Sequence, residues 1–159
     1  MSHDSARASA LADLMRAGRE TSRLSMVFRY AIAERLGLTV TDLECLDYLT
    51  DVGSATAGQV AERTNLTTGA VTSMLRRLQQ AGYVTATRDP ADRRRVIVTL
   101  RPERIAELRR PYERFAERAE RLIGGYRAEE VTLLVRHFGL MQAMYLAELD
   151  RLRSGDTAQ

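Results

Sequence analysis

The middle of the chain holds two helix-start signals and a basic hairpin in close succession, and this order constrains the fold more than any other feature. Residues 56–59, Thr-Ala-Gly-Gln, form a capping-box pattern, in which a Thr hydroxyl and a Gln side chain each satisfy a free backbone amide. The pattern predicts a short helix through Arg63, with Val60 facing inward. Asn65 and Leu66 predict a turn before the next helix start.

A second, longer helix is predicted after this turn. Thr67 is a good N-cap residue, Gly82 stands where helices commonly end, and Val71, Leu75 and Leu78 share one face. The opposite face has small residues near its start and guanidinium groups further along: Thr68, Gly69, Thr72, Ser73, Arg76, Arg77 and Gln80. The pattern therefore predicts an amphipathic helix with a polar outer face.

Two short strands rich in Val, Ile and Thr are predicted next, over residues 83–88 and 95–100. The residues between them, Asp-Pro-Ala-Asp-Arg-Arg, give the hairpin a charged tip. Three consecutive arginines make this tip basic: Arg93, Arg94 and Arg95. We expect Asp92 to support this hairpin by pairing with Arg94 and holding that side chain in one posture.

Helical periodicity continues on the N-terminal side of this region. A weak stripe of apolar and small residues predicts a long first helix that ends near residues 36–37. Thr41 and Glu44 have capping-box spacing and predict a second helix, which runs to about Asp51 and is ended by Gly53.

The helical period returns after the hairpin, from Pro102 onward. Pro111 predicts a kink because it supplies no backbone amide, and residues 124–125, Gly-Gly, predict a break. A last helix is predicted over residues 131–152, and residues 154–159 are expected to fray.

These elements predict a mainly α fold, namely a winged helix-turn-helix with a small β-hairpin wing, flanked by N- and C-terminal helices of a dimerisation region. The predicted boundaries are residues 1–36 for the N-terminal dimerisation helix, 37–101 for the DNA-binding domain and 102–159 for the C-terminal dimerisation helices. The terminal helices would leave a large apolar surface in water unless a second copy covered it. We therefore expect a homodimer.

The basic residues are informative through their placement. All 24 basic residues are Arg. Arg suits phosphate and guanine recognition, but a genome rich in G and C also favours Arg codons, and we prefer the codon explanation for the bias itself. The central segment nevertheless concentrates arginines, whereas the acidic residues are spread elsewhere, so the middle of the chain is its basic part.

Several classes of protein are disfavoured by the sequence. No apolar run approaches the roughly 20 residues that a membrane helix needs, and the N-terminus lacks the basic head and apolar run of a signal peptide. A single cysteine, Cys45, allows no internal disulfide, so we expect a cytoplasmic protein. His3 and His137 suggest no metal site, and no nucleophile with a base or Gly-rich phosphate loop occurs. We expect neither a cofactor nor catalysis.

Double-stranded DNA is the partner that the central segment favours. The helix predicted over residues 67–82 is placed to enter a major groove about 12 Å wide, and a basic hairpin fits a narrow minor groove. The predicted DNA-binding residues are Thr67, Thr68, Gly69, Thr72, Ser73, Arg76, Arg77, Arg93, Arg94 and Arg95. Arg76 and Arg77 could reach either a guanine edge or the DNA backbone, and the sequence alone does not assign them.

Three segments together resemble the MarR family of winged-helix regulators: residues 66–72 (LTTGAVT), 78–84 (LQQAGYV) and 88–95 (RDPADRRR). The resemblance is strongest over residues 41–100. It implies homodimers with interlocked terminal helices, which grip a pseudo-palindromic operator with residues 67–82 in the major groove and Arg94 in the minor groove. The chain departs from the family pattern at residues 101–104, Arg-Pro-Glu-Arg, where Thr-Pro-Glu-Gly is commoner.

The resemblance also suggests a pocket for a small-molecule effector between the DNA-binding lobe and the dimer helices. Candidate contacts are Met15, Phe28, Tyr48 and Tyr112, although core packing is the default role for each. Some members of the family sense oxidants through a cysteine in the first helix. Cys45 falls in the second helix beside acidic residues, and we expect a buried structural thiol there.

The sequence as a whole predicts a transcriptional regulator, a repressor more than an activator, that responds to a ligand or a change in conditions. Its alternative is a winged-helix module that binds protein and has no operator specificity. The two hypotheses differ in salt dependence, because neutralising phosphates releases counterions whereas an apolar protein interface does not.

Overall fold

A computed structural model describes residues 3–154, which form six helices and one three-stranded antiparallel sheet. In chain order the elements are α1 His3–Arg35, α2 Val40–Val52, β1 Ser54–Thr56, α3 Ala57–Thr64, α4 Thr68–Gln80, β2 Val84–Arg88, β3 Val96–Leu100, α5 Pro102–Gly124 and α6 Ala128–Arg153. Met1, Ser2 and residues 155–159 lie outside the described residues, and so does the segment expected to fray, residues 154–159, apart from Ser154.

The predicted helix-turn-helix is confirmed as α3 and α4. Thr56 and Gln59 form the expected capping box, and Thr67 caps α4 by accepting a hydrogen bond from the amide of Ala70 at 3.4 Å. Asn65 adopts a left-handed backbone with φ of 53°, which turns the chain between the two helices. The predicted hairpin is present as β2 and β3, so the mainly α fold with a small wing is confirmed.

The sheet contains a third strand that the sequence analysis missed. β1 pairs antiparallel with β3, and Ser54 lies opposite Thr99 and Thr56 opposite Ile97. The strand order is β1-β3-β2, which places the second hairpin strand in the centre. A strand of three residues directly before a helix cap is too short to show alternation, and only its pairing with β3 defines it.

The predicted start of α2 is wrong by two residues. The helix is capped by Thr39, whose hydroxyl accepts from the amide of Asp42 at 3.1 Å, while the Asp42 carboxylate accepts from the amide of Thr39 at 2.9 Å. Thr39 and Asp42 have the same spacing as Thr41 and Glu44, so two overlapping patterns competed. The Asp42 carboxylate also binds another element, which the sequence pattern did not show.

The core lies where α2, α3, α4 and the sheet meet. Its fully buried aliphatic and methionine side chains are Leu43, Leu46, Leu49, Val60, Val71, Met74, Leu78, Val84 and Val98. Each such side chain contributes about 1.5–3 kcal/mol relative to leaving it in water. This core fixes α4 by its inner face and thereby leaves the opposite face in solvent.

The chain divides into two compact units at Pro111. The first unit, up to Pro111, contains α1 to α4, the sheet and the start of α5. The second unit, from Tyr112, contains the rest of α5 and α6, and no described residue of α6 is buried. Pro111 lies inside α5, which continues as one helix on either side of it.

The end of α4 depends on the backbone freedom of Gly82, whose φ is +75°. A Cβ at this position would meet no atom within 4 Å, so its cost comes from the backbone alone. We expect Gly82→Ala to lower the free energy of unfolding by about 1–2 kcal/mol, measured by urea denaturation. The control, Gly69→Ala inside α4, also meets open space and should stabilise by up to about 1 kcal/mol. Equal effects would contradict this account.

Candidate nucleic-acid interface

Helix α4 presents the predicted polar face to solvent. Its buried residues are Val71, Met74, Leu75 and Leu78, which pack into the core. Every predicted contact residue of this segment is exposed: Thr67, Thr68, Gly69, Thr72, Ser73, Arg76 and Arg77. The structure therefore brings these residues to one surface at the helix-turn-helix.

The two hydroxyls in the middle of this face differ in their hydrogen bonding. The Thr72 hydroxyl donates to the carbonyl of Thr68 at 2.9 Å, so its proton is used within the helix. The Ser73 hydroxyl has no hydrogen-bond partner within residues 3–154. A ligand that meets this face thus finds an acceptor at Thr72, and both a donor and an acceptor at Ser73.

The structure separates the two arginines that the sequence could not distinguish. Arg77 makes two hydrogen bonds to Asp42 of α2, from Nη2 to Oδ1 at 2.6 Å and from Nε to Oδ2 at 3.2 Å. Arg76 is exposed and forms no ion pair with any residue that the structure describes. The guanidinium of Arg76 is available to an external partner, whereas that of Arg77 is held by the fold.

Asp42 is ionised despite its burial. Burial acts to raise the pKa of this carboxyl, but hydrogen bonds from Arg77 and Thr39 outweigh it and bring the pKa below its usual value. The same pair raises the pKa of Arg77. The contact is therefore a charged, bidentate ion pair between α2 and α4, and sequence analysis missed it because the two residues are far apart along the chain.

The tip of the hairpin, residues 89–95, is shaped by its two aspartates. Asp89 accepts from the amide of Ala91 at 2.8 Å, and Asp92 accepts from the amide of Arg94 at 3.0 Å. Asp92 was predicted to pair with the side chain of Arg94. This prediction is wrong about the partner atom, because the Asp92 carboxylate binds the backbone amide of Arg94. A carboxylate that binds the amide two residues on folds the turn itself.

The three predicted arginines of the tip, Arg93, Arg94 and Arg95, are all exposed. None forms an ion pair within the described part of the chain. Arg88, at the end of β2 opposite Val96, is a further exposed arginine that was not among the predicted contacts. Its position at a strand end next to the tip is the signal that would have included it.

The base of the hairpin is attached to α5 through a small cluster. The Arg104 guanidinium lies 4.2 Å from the ring centre of Tyr83 and pairs with Glu107 at 2.8 Å. The Tyr83 hydroxyl donates to Glu107 at 3.1 Å. Burial and this bond raise the pKa of Tyr83, which stays neutral. Arg104, where the sequence departs from the resembling family, thus fixes the start of α5 against the hairpin.

The four predicted effector contacts differ in exposure. Met15 is exposed on α1, and Phe28, Tyr48 and Tyr112 are half-buried. An open groove of about 460 Å³ lies instead along α1 and the start of α2. Its lining residues are Thr21, Ser22, Ser25, Met26, Arg29 and Val40. None of the four predicted contacts lines this groove.

Cys45 is completely buried in α2. Burial, with the nearby charges of Asp42 and Glu44, raises the pKa of its thiol to about 12. Because the thiolate is the reactive form, this site has a structural thiol and not a reactive one. The sequence-based interpretation of Cys45 agrees with this environment.

The described residues form neither a metal-binding cluster nor a helix that could span a membrane. No group of three or more His, Cys, Asp or Glu side chains within residues 3–154 is arranged to hold a metal ion. Among the described helices, none is both long and apolar enough to span a bilayer.

The geometry defines the class of protein, a winged helix-turn-helix with an exposed second helix and an arginine-rich wing. A family model described as the MarR family matches residues 36–95, which contain α2, α3, α4 and most of the wing. The HTH-type transcriptional regulator YcgE of Bacillus subtilis is 37% identical over 138 residues, covering 85% of this chain and 88% of that protein. The chain belongs to the MarR family of transcriptional regulators, which are not enzymes.

Solved structures agree with this fold. YusO from Bacillus subtilis superposes with a TM-score of 0.64 at 23% identity, covering 91% of this chain and 99% of YusO. A MepR variant from S. aureus bound to an oligodeoxyribonucleotide has a TM-score of 0.59 at 20% identity, covering 83% of this chain and 97% of that chain. The fold is therefore shared along most of each chain.

The burial of Cys45 predicts its reactivity. We expect the native protein at pH 8 to resist alkylation by iodoacetamide, because the thiol stays protonated and inaccessible, and to react fully in urea. Mass spectrometry counts the modified fraction. A Ser73→Cys variant is the control, since its new thiol on the exposed face of α4 should react in the native state. Rapid alkylation of Cys45 in the folded protein would show that the interpretation is wrong.

Proposed function

We propose that the chain binds a pseudo-palindromic duplex site as a homodimer, through α4 and the wing, and represses transcription in response to a ligand or a change in conditions. The observation that carries this proposal is the outer face of α4, where Ser73 and Arg76 have no hydrogen-bond or ion-pair partner within the described residues. The inner face of α4 is held in the core, and its outer face offers hydrogen-bonding groups to an external partner. Such a face suits a polar ligand with a groove wide enough to admit the helix.

The outer face of α4 suits the major groove, which is about 12 Å wide. Gly69, Thr72 and Ser73 are small and let the backbone approach the bases closely. Arg76 lies one turn further along and is long enough to reach a guanine edge or a phosphate. Thr67 and Thr68 stand at the helix N-terminus, where free amides and the helix dipole favour a phosphate.

The wing supplies the second proposed contact. Its tip carries Arg93, Arg94 and Arg95 on a turn whose backbone is held by Asp89 and Asp92. A minor groove narrowed by A·T-rich sequence has an enhanced negative potential that attracts inserted arginines. We assign Arg94 to this insertion, as the resemblance to the family implies, and the Asp92 carboxylate holds the amide of this residue.

Homodimerisation is supported by the apolar surface of the second unit. Its exposed large apolar residues are Phe115, Leu122, Ile123, Tyr126, Leu133, Val135, Phe138, Leu140, Met144, Tyr145, Leu146, Leu149 and Leu152. A soluble monomer rarely exposes this much apolar surface in one small unit. A second copy of the same unit would cover it. In the first unit, α1 also exposes large apolar residues, among them Leu11, Leu14 and Met15.

In the proposed dimer, regulation of DNA binding depends on the distance between the two copies of α4. Two copies of α4 must lie about 34 Å apart to enter successive major grooves, so any change in the dimer helices changes affinity for the operator. An effector that binds one spacing better than the other shifts the population between them. Met15, Phe28, Tyr48 and Tyr112 remain the proposed effector contacts.

The wing assignment is tested by Arg94→Ala. We expect operator affinity to fall by about tenfold or more, in line with the loss of one arginine contact to DNA, while thermal stability stays unchanged. Fluorescence anisotropy with a labelled duplex measures the affinity. The matched control is Arg109→Ala, which removes an exposed arginine from α5.

The same titrations separate DNA binding from the protein-interaction alternative. A duplex-binding protein that neutralises several phosphates weakens steeply between about 50 and 200 mM salt, whereas an apolar protein interface does not. Equal affinity of Arg94→Ala and the unaltered chain at matched salt would remove the wing from the proposed interface.

The dimer is tested by placing a charge on its proposed seam. We expect the unaltered chain to sediment with the mass of two chains, and Phe138→Glu to shift it toward the mass of one, because a buried unpaired carboxylate is costly. Phe138 is 60% exposed in the single chain, so the change has no core to disrupt. Gln79→Glu, on exposed α4, is the control. A monomeric unaltered chain would contradict the proposed assembly.

A further inference from the structure

The Asp42–Arg77 pair joins α2 to α4 at the border of the proposed DNA-binding face. Successive residues of a helix are about 100° apart around its axis, so Arg77 points well away from Arg76. Arg76 lies on the outer face with Ser73, whereas Arg77 stands between that face and the buried one and turns toward α2. The Asp42 side chain is 1% exposed and that of Arg77 is 52% exposed.

The geometry of the pair limits the rotation of α4 about its own axis. A planar guanidinium that donates two bonds to one carboxylate fixes direction as well as distance. The carboxylate is itself held, because Oδ2 also accepts from the amide of Thr39 at 2.9 Å. The rotation of α4 about its axis is therefore fixed relative to the N-terminus of α2. The apolar contacts on the inner face of α4 are not directional and do not have to fix this rotation.

A small rotation of α4 matters for base contacts. A turn of about 20° about the helix axis moves a side-chain atom, roughly 6 Å from that axis, by about 2 Å. Hydrogen bonds from N–H groups to oxygen are made over only about 2.7–3.2 Å, so such a turn breaks contacts to base edges. Phosphate contacts made by flexible arginines tolerate the same movement, because the attraction is less directional.

We propose that Asp42 is a positioning residue for sequence discrimination: through Arg77 it sets the rotation of α4, and it does not touch DNA itself. This inference rests on the proposed function of α4 in the major groove. It assigns Arg77, one of the predicted DNA contacts, to orienting the helix. It also gives α2 a part in specificity, although α2 lies outside the helix-turn-helix.

The experiment compares two Asp-to-Asn variants of the same helix. Asp42→Asn removes the charge that orients Arg77 and keeps an oxygen that can accept from Thr39. Asp47→Asn breaks the other ion pair of α2, between Asp47 and Arg29 of α1 at 3.0 Å, and gives the same change in net charge. Each variant is titrated with two duplexes: one that the unaltered chain has selected from a random-sequence pool, and one of unrelated sequence. The titrations are made at a temperature where circular dichroism shows that the variant is folded.

We expect Asp42→Asn to lower affinity for the selected duplex by about tenfold, as for the loss of a base contact, with affinity for the unrelated duplex retained or increased. Asp47→Asn should change both affinities by the same factor. A loss of folded protein alone would lower both together. Equal ratios of selected to unrelated affinity in the two variants would overturn the assignment of Asp42.

Arg77→Lys provides a second test that keeps both charges, and it decides the question if Asp42→Asn does not fold. A lysine ammonium cannot form the two-pronged contact, so we expect the same selective loss with an unchanged slope of affinity against salt. Full discrimination by Arg77→Lys would overturn the proposal. Failure of the unaltered chain to select any duplex would instead contradict the proposed function itself.

Discussion

The apolar packing of α4 is the interaction on which the rest of the structure depends. Val71, Met74, Leu75 and Leu78 bury one side of this helix against the first unit's core, and so determine that the other side faces water. Burial alone is not directional, since it fixes which face is inside and leaves freedom for small rotations. The ion pair with Asp42 supplies the direction that apolar contact lacks.

The wing follows a different principle, in which short-range polar bonds shape a loop that has no core. Asp89 and Asp92 each bind the amide two residues on, so the turn keeps its shape while the arginines stay exposed. At the other end, Tyr83, Arg104 and Glu107 attach the base of the hairpin to α5. The wing is thus rigid at its backbone, and its cationic side chains are left without partners among the described residues.

Much of the fold and of the site was predictable from local signals. Thr56 with Gln59, and Thr67, start helices through bonds to amides within four residues, so the sequence contains all the partners. The start of α2 was predicted wrongly from Thr41 and Glu44, because these residues have the same spacing as Thr39 and Asp42, which form the observed capping box. β1 escaped prediction because three residues carry no period, and its partner β3 lies more than forty positions away.

The sequence by itself determined the order of the six helices and of the two hairpin strands, the two faces of α4 and the basic tip, since these depend on periodicity and on bonds between close neighbours. Only the tertiary structure decided which of two adjacent arginines is held by an ion pair, because the carboxylate that binds Arg77 is 35 residues away in the chain. The pairing of β1 with β3 and the attachment of the wing to α5 likewise depend on segments that meet only after folding. Distance along the chain, not the type of residue, separates what could be foreseen from what could not.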